Sequence, residues 1–112
     1  LPRTPVAVLV GDGGFMFSMP ELLTAKEQNL SLPIIIWENG GYKQIQDDMG
    51  LMKIDRVGVE GLNPDFIKLA EACHCQAVHA DSAEVFMKAF KNALSTNSPT
   101  IILVKEHDDW LN

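Results

Sequence analysis

Three uninterrupted runs of apolar residues constrain the fold of this chain more than any other feature of its sequence. They are VAVLV (6–10), PIIIW (33–37) and TIILV (100–104), and none of them alternates with polar residues. Continuous apolar runs of this length are typical of strands that are covered on both faces, as in parallel sheets. A shorter and more polar run, QAVHA (76–80), predicts a fourth strand at or near a sheet edge.

Helical patterns separate these predicted strands. SMPE (18–21) forms a capping box with a proline in the first turn, and it predicts a helix that runs to about Asn29. A second helix is expected over 63–72, and a third is expected to be capped by DSAE (81–84). The residues at helical spacing that should face the core are Phe66, Leu69, Ala70, Val85, Phe86, Ala89, Phe90 and Ala93. The order β-α-β, a long connection and then α-β-α-β predicts an α/β fold, a parallel sheet with flanking helices.

Composition excludes several classes of protein. A chain of 112 residues fits one domain, and its net charge of −6 offers no basic surface for nucleic acid. The longest apolar runs are the length of strands, so neither a membrane span nor a signal peptide is expected. Two cysteines without a secretory context indicate reduced thiols in the cytoplasm. The chain begins at Leu1 and not at methionine, and we expect it to be a piece of a longer polypeptide.

The first apolar run leads directly into Asp12, which lies among Gly11, Gly13 and Gly14. Glycine clusters lose conformational entropy on folding unless the backbone needs a positive φ or something must approach it closely. The usual ligand of such a turn is a phosphate, and a carboxylate beside a phosphate is repulsive unless a cation lies between them. The cluster therefore predicts a metal-bridged phosphate site, with a strand-to-helix turn that carries a solvated acid as the alternative.

The second apolar run leads into ENGGYKQ (38–44), in which Asn39 supplies a neutral oxygen at a strand end. Because ligands of open parallel sheets bind at the carboxyl ends of the strands, Asp12 and Asn39 are expected to be neighbours in space. A carboxylate, an amide oxygen and a backbone carbonyl suit Mg²⁺ or Ca²⁺. The alternative for Asn39-Gly40-Gly41 is a plain turn, since Asn-Gly favours positive φ.

The spacing of these residues resembles the thiamine-diphosphate motif. Gly11-Asp12-Gly13 is followed by 25 residues and then by Asn39, although Glu38 replaces the first residue of the family's usual double asparagine. Residues 6–42 and NPDFIKLAEAC (63–73) are similar to the diphosphate-binding domain of the acetolactate synthase and 2-oxo-acid decarboxylase group. The resemblance implies the thiamine-diphosphate-binding fold, here as a partial domain.

The resemblance also implies a cofactor and its ligands. Thiamine diphosphate and Mg²⁺ would be bound, with Mg²⁺ held by the side chains of Asp12 and Asn39 and by the Gly41 carbonyl. Gln44 and Ile45 follow the metal loop and would lie near the reaction centre. The residues that the resemblance assigns to cofactor binding are Gly11, Asp12, Gly13, Gly14, Asn39, Gly41 and Tyr42. Many relatives have serine at the position of Gly14, so one hydroxyl contact would be missing here.

By the same resemblance, residues 1–112 would be the C-terminal diphosphate-binding domain of a longer enzyme, without the N-terminal part of that domain and without the other domains. The parent would be a homo-oligomeric decarboxylase of 2-oxo acids, closest to those acting on guanidino-type substrates, or an acetolactate-synthase-like carboligase. Its activating glutamate would lie outside this chain, so the chain alone should be inactive. The alternative is an inert α/β module used for binding or assembly. A nucleotide or flavin domain is disfavoured because the chain has no GxGxxG pattern.

Other polar groups have simpler interpretations. Cys73-His74-Cys75 is interpreted as a helix end that leads into a strand, in preference to a zinc site. Asp47-Asp48 and Asp108-Asp109 are interpreted as solvated surface charge, and Trp37 as a core residue. The irregular connection over 40–62 is expected to be mobile without cofactor.

Overall fold

Four parallel strands form the sheet in the computed structural model, which describes residues 5–39, 65–106 and 108–111. Strands β1 (Val8–Gly11), β2 (Pro33–Glu38), β3 (Gln76–His79) and β4 (Thr100–Lys105) follow the order β1-β2-β4-β3. Each neighbouring pair is parallel. The predicted α/β class is confirmed, and β3 lies at an edge of the sheet as its polar composition indicated.

The helices connect these strands. Helices α1 (Asp12–Ser18) and α2 (Pro20–Glu27) lie between β1 and β2, and α3 (Phe66–Ala72) precedes β3. Helix α4 (Ala83–Ala93) joins β3 to β4, and a 3₁₀ turn (Asp109–Leu111) follows β4. Within the described residues, no helix is both long enough and apolar enough to span a membrane.

Strand β4 is the most deeply buried element of the sheet. Ile101 and Ile102 are both 0% exposed, and because successive side chains of a strand point to opposite faces, they belong to two separate clusters of core residues. The first cluster packs β1, β2 and β4 against α1, α2 and α3, and the second packs the other face against α4. The helical residues that the sequence assigned to the core lie in or against these clusters or are themselves buried: Phe66, Leu69, Ala70, Val85, Phe86, Ala89, Phe90 and Ala93.

Strand β1 differs from its prediction in position and in burial. It begins at Val8 and not at Val6, and among the described residues it pairs with β2 alone. Its side chains alternate between half-buried and exposed, and Leu9 is 70% exposed. Within the described residues one face of this strand is covered, and the expectation that both faces are covered stays a prediction for the complete chain.

The glycine-rich stretch after β1 is helical, which corrects the prediction of a turn at this place. Helix α1 begins at Asp12, directly after Gly11, and it ends at Ser18. Helix α2 begins at Pro20, and the residue before it is Met19, which has a helical backbone (φ −56°, ψ −40°) and no side-chain cap. The side chain of Ser18, on which the predicted capping box depends, lies outside the described ones. Burial of Phe15 in the core offsets the low helix propensity of the glycines, so tertiary packing overrides the local signal.

Helices α3 and α4 start later than predicted. The caps are Asp65, which accepts a hydrogen bond from the Lys68 N–H, and Ser82, which accepts one from the Val85 N–H. The third helix was therefore expected one residue too early, with Asp81 at the cap. Residues 63 and 64, where the second helix was expected to open, lie outside the described residues.

Helices α2 and α3, which pack on the same face of the sheet, both end in Schellman motifs. After α2, Asn29 (φ 54°) donates to the Lys26 carbonyl and Leu30 donates to that of Ala25. After α3, His74 (φ 64°) donates to the Glu71 carbonyl and Cys75 to that of Ala70. The interpretation of residues 73–75 as a helix end is confirmed.

Candidate cofactor site

Asp12 and Asn39 lie at the same edge of the sheet. Strands β1 and β2 are neighbours, and Gly11 at the end of β1 pairs with Trp37 near the end of β2. Asp12 follows Gly11 directly, and Asn39 stands two residues after Trp37. Neighbouring parallel strands are about 4.8 Å apart, so the carboxyl ends of β1 and β2 bring these two residues to one place.

The carboxylate of Asp12 is withdrawn from water. The residue is 1% exposed at the first position of α1, and its Oδ1 accepts a hydrogen bond of 2.8 Å from the Gly13 N–H. Burial of a charged carboxylate is costly unless other groups compensate it, and the N-terminal end of a helix favours negative charge. A carboxylate held in this way is chemically suited to a hard cation such as Mg²⁺.

Nothing in the described part of the structure requires glycine at the three positions around Asp12. Gly11 has an ordinary extended backbone (φ −79°), and none of Gly11, Gly13 and Gly14 adopts a positive φ. A Cβ atom added at any of the three would meet nothing within 4 Å. A glycine cluster is explained either by positive φ or by the close approach of another group. Positive φ is excluded here, so close approach is the explanation that remains. The residues present therefore fit a diphosphate that lies against this backbone.

Of the remaining predicted site residues, Asn39 lies within the described part of the chain and the others lie outside it. Asn39 is exposed directly after β2. Within the described ranges there is no group of three His, Cys, Asp or Glu residues that could hold a metal ion, so the zinc alternative finds no support there. The predicted residues that lie outside the described ones are Gly41, Tyr42, Gln44, Ile45, Asp47 and Asp48, with the connection over 40–62.

A polar pocket of about 530 Å³ lies at this carboxyl edge, beyond β2. Four of its lining side chains can carry charge, since it is lined by Glu38, Asp65, Phe66, Ile67, His79, Leu103 and Lys105. A second pocket of about 410 Å³, between α2 and the β1–β2 face, is lined largely by apolar side chains. Of these two pockets, the one in which charged side chains predominate lies at the edge that carries Asp12 and Asn39.

A hydrogen-bonded pair of side chains at the same edge was not predicted from the sequence. Nε2 of His79 lies 2.8 Å from Oδ2 of Asp108, and their side chains are 36% and 21% exposed. The interpretation of Asp108 as solvated charge was wrong, whereas Asp109 is exposed. The signal that could have found the pair is its placement, since His79 ends β3 and Asp108 follows the end of the neighbouring β4.

Trp37 packs as the sequence indicated. It lies against the cluster of core residues on the α4 face, and its indole N–H donates to Oε1 of Glu106 over 3.2 Å. The tryptophan thus connects the end of β2 to the segment after β4, and it is a structural residue of the carboxyl edge.

Comparison with known protein families gives a match over most of the chain. Residues 1–104 match the family profile described as "Thiamine pyrophosphate enzyme, C-terminal TPP binding domain". The match includes the glycine cluster, Asp12 and Asn39.

Individual proteins of known sequence or structure are also similar. "Probable 2-ketoarginine decarboxylase AruI" of Pseudomonas aeruginosa is 35% identical over 102 residues, which cover 90% of this chain and 18% of that protein. "Probable acetolactate synthase large subunit" of Methanococcus aeolicus is 33% identical, with 90% of this chain and 17% of that protein covered. The solved structure of the thiamine diphosphate-dependent 4-hydroxybenzoylformate decarboxylase of Rhodococcus jostii RHA1 is 31% identical, with a TM-score of 0.73 and coverage of 96% and 21%. The chain therefore spans between 17% and 21% of the length of these relatives.

Proposed function

This chain belongs to the family of C-terminal thiamine-pyrophosphate-binding domains of thiamine pyrophosphate enzymes, and from this membership we propose that its carboxyl sheet edge binds the diphosphate end of the cofactor through Mg²⁺. One observation carries the proposal. A carboxylate that is 1% exposed stands among three glycines with free space at their Cβ positions, beside the strand that ends in Asn39.

Each residue of the proposed site has a distinct role. The side chains of Asp12 and Asn39 and the carbonyl of Gly41 hold Mg²⁺, while the backbone at Gly13 and Gly14 lies against the diphosphate. Thiamine diphosphate supplies, when bound, the carbon nucleophile of 2-oxo acid chemistry. The task of this chain is to grip and orient the cofactor. Tyr42 contributes to that grip, and Gln44 and Ile45 lie near the reacting carbon.

The proposed parent enzyme decarboxylates a 2-oxo acid or joins two such substrates as acetolactate synthases do. The names of the similar proteins support this chemistry, since they include decarboxylases and acetolactate synthases. A guanidino-type 2-oxo acid is the proposed substrate, because the relative with 35% identity is named a 2-ketoarginine decarboxylase. Carbon dioxide release from 2-oxo acids with guanidino, aromatic and methyl side chains compares these options directly. Preference for an aromatic acid would contradict the guanidino assignment.

The proposal extends to the setting in which the domain works. Residues 1–112 form part of the C-terminal cofactor-binding domain, without its N-terminal part, of a longer, homo-oligomeric and cytoplasmic enzyme, whose other domains supply the activating glutamate. The coverage of 17% to 21% of the relatives supports this arrangement, and it leads us to expect that the chain alone is inactive.

Substitution of Asp12 tests the site. Asp12→Ala in the complete enzyme should abolish Mg²⁺-dependent binding of thiamine diphosphate in isothermal titration calorimetry, because the metal loses its charged ligand. The matched control is Asp109→Ala, which removes an exposed carboxylate after β4 and should bind the cofactor normally. Wild-type affinity in Asp12→Ala would show that the metal site is wrongly assigned. Absence of binding in the unaltered enzyme would favour the inert module.

A further inference from the structure

Helix α1, which carries Asp12, lacks most of the features that stabilise a helix locally. It has seven residues, its N-cap is Gly11 without a side-chain hydrogen bond, and two of its first three residues are Gly13 and Gly14. Isolated helices of this length are not stable in water, and glycine disfavours the helical backbone. Contacts with the rest of the protein must therefore hold α1 in place.

Phe15 supplies such a contact. It stands three residues after Asp12, and both are buried (3% and 1% exposed), so the aromatic ring and the carboxylate occupy the inward side of α1. The ring of Phe15 meets that of Phe66 edge to face, with centroids 5.7 Å apart and ring planes at 84°. This arrangement is a favoured geometry for an aromatic pair. The position of Asp12 thus depends on where Phe15 packs.

Phe66 is well placed to act as a fixed support. It is the first residue of α3 and 1% exposed, and the helix begins immediately before it at the Asp65 cap. Oδ1 of Asp65 accepts the Lys68 N–H over 3.1 Å, which orders the first turn of α3. The aromatic pair therefore connects a capped helix to an uncapped one.

We propose that Phe66 is a positioning residue for the metal site, because its ring holds Phe15 and thereby sets the place of Asp12 at the carboxyl sheet edge. This inference rests on the proposed function of Asp12 as a Mg²⁺ ligand. In this proposal Phe66 acts through Phe15 and is not itself a ligand of the metal.

Replacement of the ring by a flexible side chain of similar size tests the proposal. Phe66→Met in the complete enzyme should weaken Mg²⁺-dependent binding of thiamine diphosphate about tenfold, as is typical when a group that orients a metal ligand is removed. The readouts are calorimetric binding at several Mg²⁺ concentrations and unfolding in urea. Phe66→Tyr, which keeps the ring, should retain more of the affinity than Phe66→Met.

Phe86→Met is the matched control. Phe86 belongs to an aromatic pair on the opposite face of the sheet, with its centroid 6.1 Å from that of Phe90. This variant should lose stability and keep its Mg²⁺ affinity. If both methionine variants lose affinity in proportion to their loss of stability, the positioning role is overturned and the proposed function stands.

Two further variants separate the possible failures. Phe15→Met removes the same ring contact from the side of α1, so it should weaken Mg²⁺ binding, and the double variant with Phe66→Met should be no weaker than the single ones. Additive losses would overturn the coupling, and Phe15→Met provides the test if Phe66→Met does not fold. Normal binding by Asp12→Ala would overturn both the proposed function and this inference.

Discussion

His74 and Asn29 occupy equivalent positions after α3 and α2, each with a left-handed backbone (φ 64° and 54°). Asparagine and histidine are both enriched in this region, but asparagine enters it more readily because its short polar side chain can hydrogen-bond locally. The two helix ends therefore have the same hydrogen bonds, but their central residues differ in how readily they adopt a left-handed backbone. This difference between two similar turns can be measured.

His74→Gly should raise the free energy of unfolding by about 0.5 to 1 kcal/mol, because glycine adopts positive φ without steric cost. Asn29→Gly is the control at the equivalent position, and its gain should be smaller. Urea unfolding of both variants checks the order. A gain for Asn29→Gly that equals or exceeds that of His74→Gly would contradict it.

The thiol of Cys75 is set apart from an ordinary cysteine by its surroundings. Burial raises the pKa of Cys75 above its ordinary value of 9.0, the nearby Cys73 raises it further, and Lys26 lowers it in part. The residue is 6% exposed, and its Sγ donates to the Cys73 carbonyl over 3.5 Å. The folded protein thus holds this proton more tightly than the unfolded chain does.

A pH dependence of stability follows from the raised pKa of Cys75. The contribution is fully present below the ordinary pKa of 9.0 and is lost as the pH rises through the folded value, because the unfolded chain releases its proton first. Urea unfolding between pH 7.5 and 10.5 should show a steeper decline for wild type than for Cys75→Ala. Parallel declines would contradict the assignment.

At the scale of elements, the strength of α4 depends on its first turn. Ser82 has an extended backbone and accepts a hydrogen bond of 3.1 Å from the Val85 N–H, which satisfies one of the free donors of the helix. The helix packs Val85, Phe86, Ala89 and Phe90 against one face of the sheet. Its N-cap therefore affects more than one turn.

Ser82→Ala should lower the free energy of unfolding by about 1 kcal/mol through loss of this cap. Ser95→Ala is the control, since the exposed Ser95 hydroxyl donates to the Asn92 carbonyl at the other end of the helix, and its effect should stay within about 0.5 kcal/mol. Thermal or urea unfolding measures both. Equal losses would mean that the serine at position 82 has no special role as a cap.

The elements differ in how well the sequence predicts them. The strands β2 and β4 were predicted to within one residue, because uninterrupted apolar runs need burial on both faces and both strands have neighbours on two sides. Helix α1 was missed because its formation depends on the packing of Phe15, which lies outside any local propensity. The sequence predicted that Asp12 and Asn39 lie at the same edge of the sheet, because each of them follows one of two consecutive strands. The pair of His79 and Asp108 depends on the order of the strands in the sheet.

At the scale of the whole molecule, the described part of the sheet has an open edge at β1. Leu9 is 70% exposed and Val6 is 57% exposed, and β1 has no strand beyond it among the described residues. Exposed apolar side chains on an edge strand favour association, because both the side chains and the backbone groups can find partners.

The 112-residue chain should therefore associate with itself when it is prepared alone. Light scattering is expected to give a mass above the 12.4 kDa of one chain, and Leu9→Lys should shift the distribution towards single chains. The control is Met87→Lys on α4, where an exposed side chain (51%) lies away from the sheet edge. A single-chain mass for the unaltered protein would rule out this expectation.

The two ends of the sheet differ in whether a label attached there would obstruct the proposed cofactor site. The exposed turn that joins α4 to β4 enters the sheet at its amino edge, opposite the strand ends that carry Asp12 and Asn39. Asn97 in that turn is exposed, so Asn97→Cys would offer a thiol for a fluorescent dye whose linker would stay clear of the cofactor side. The fluorescence of a dye placed there could report unfolding while cofactor is added at the opposite edge of the sheet.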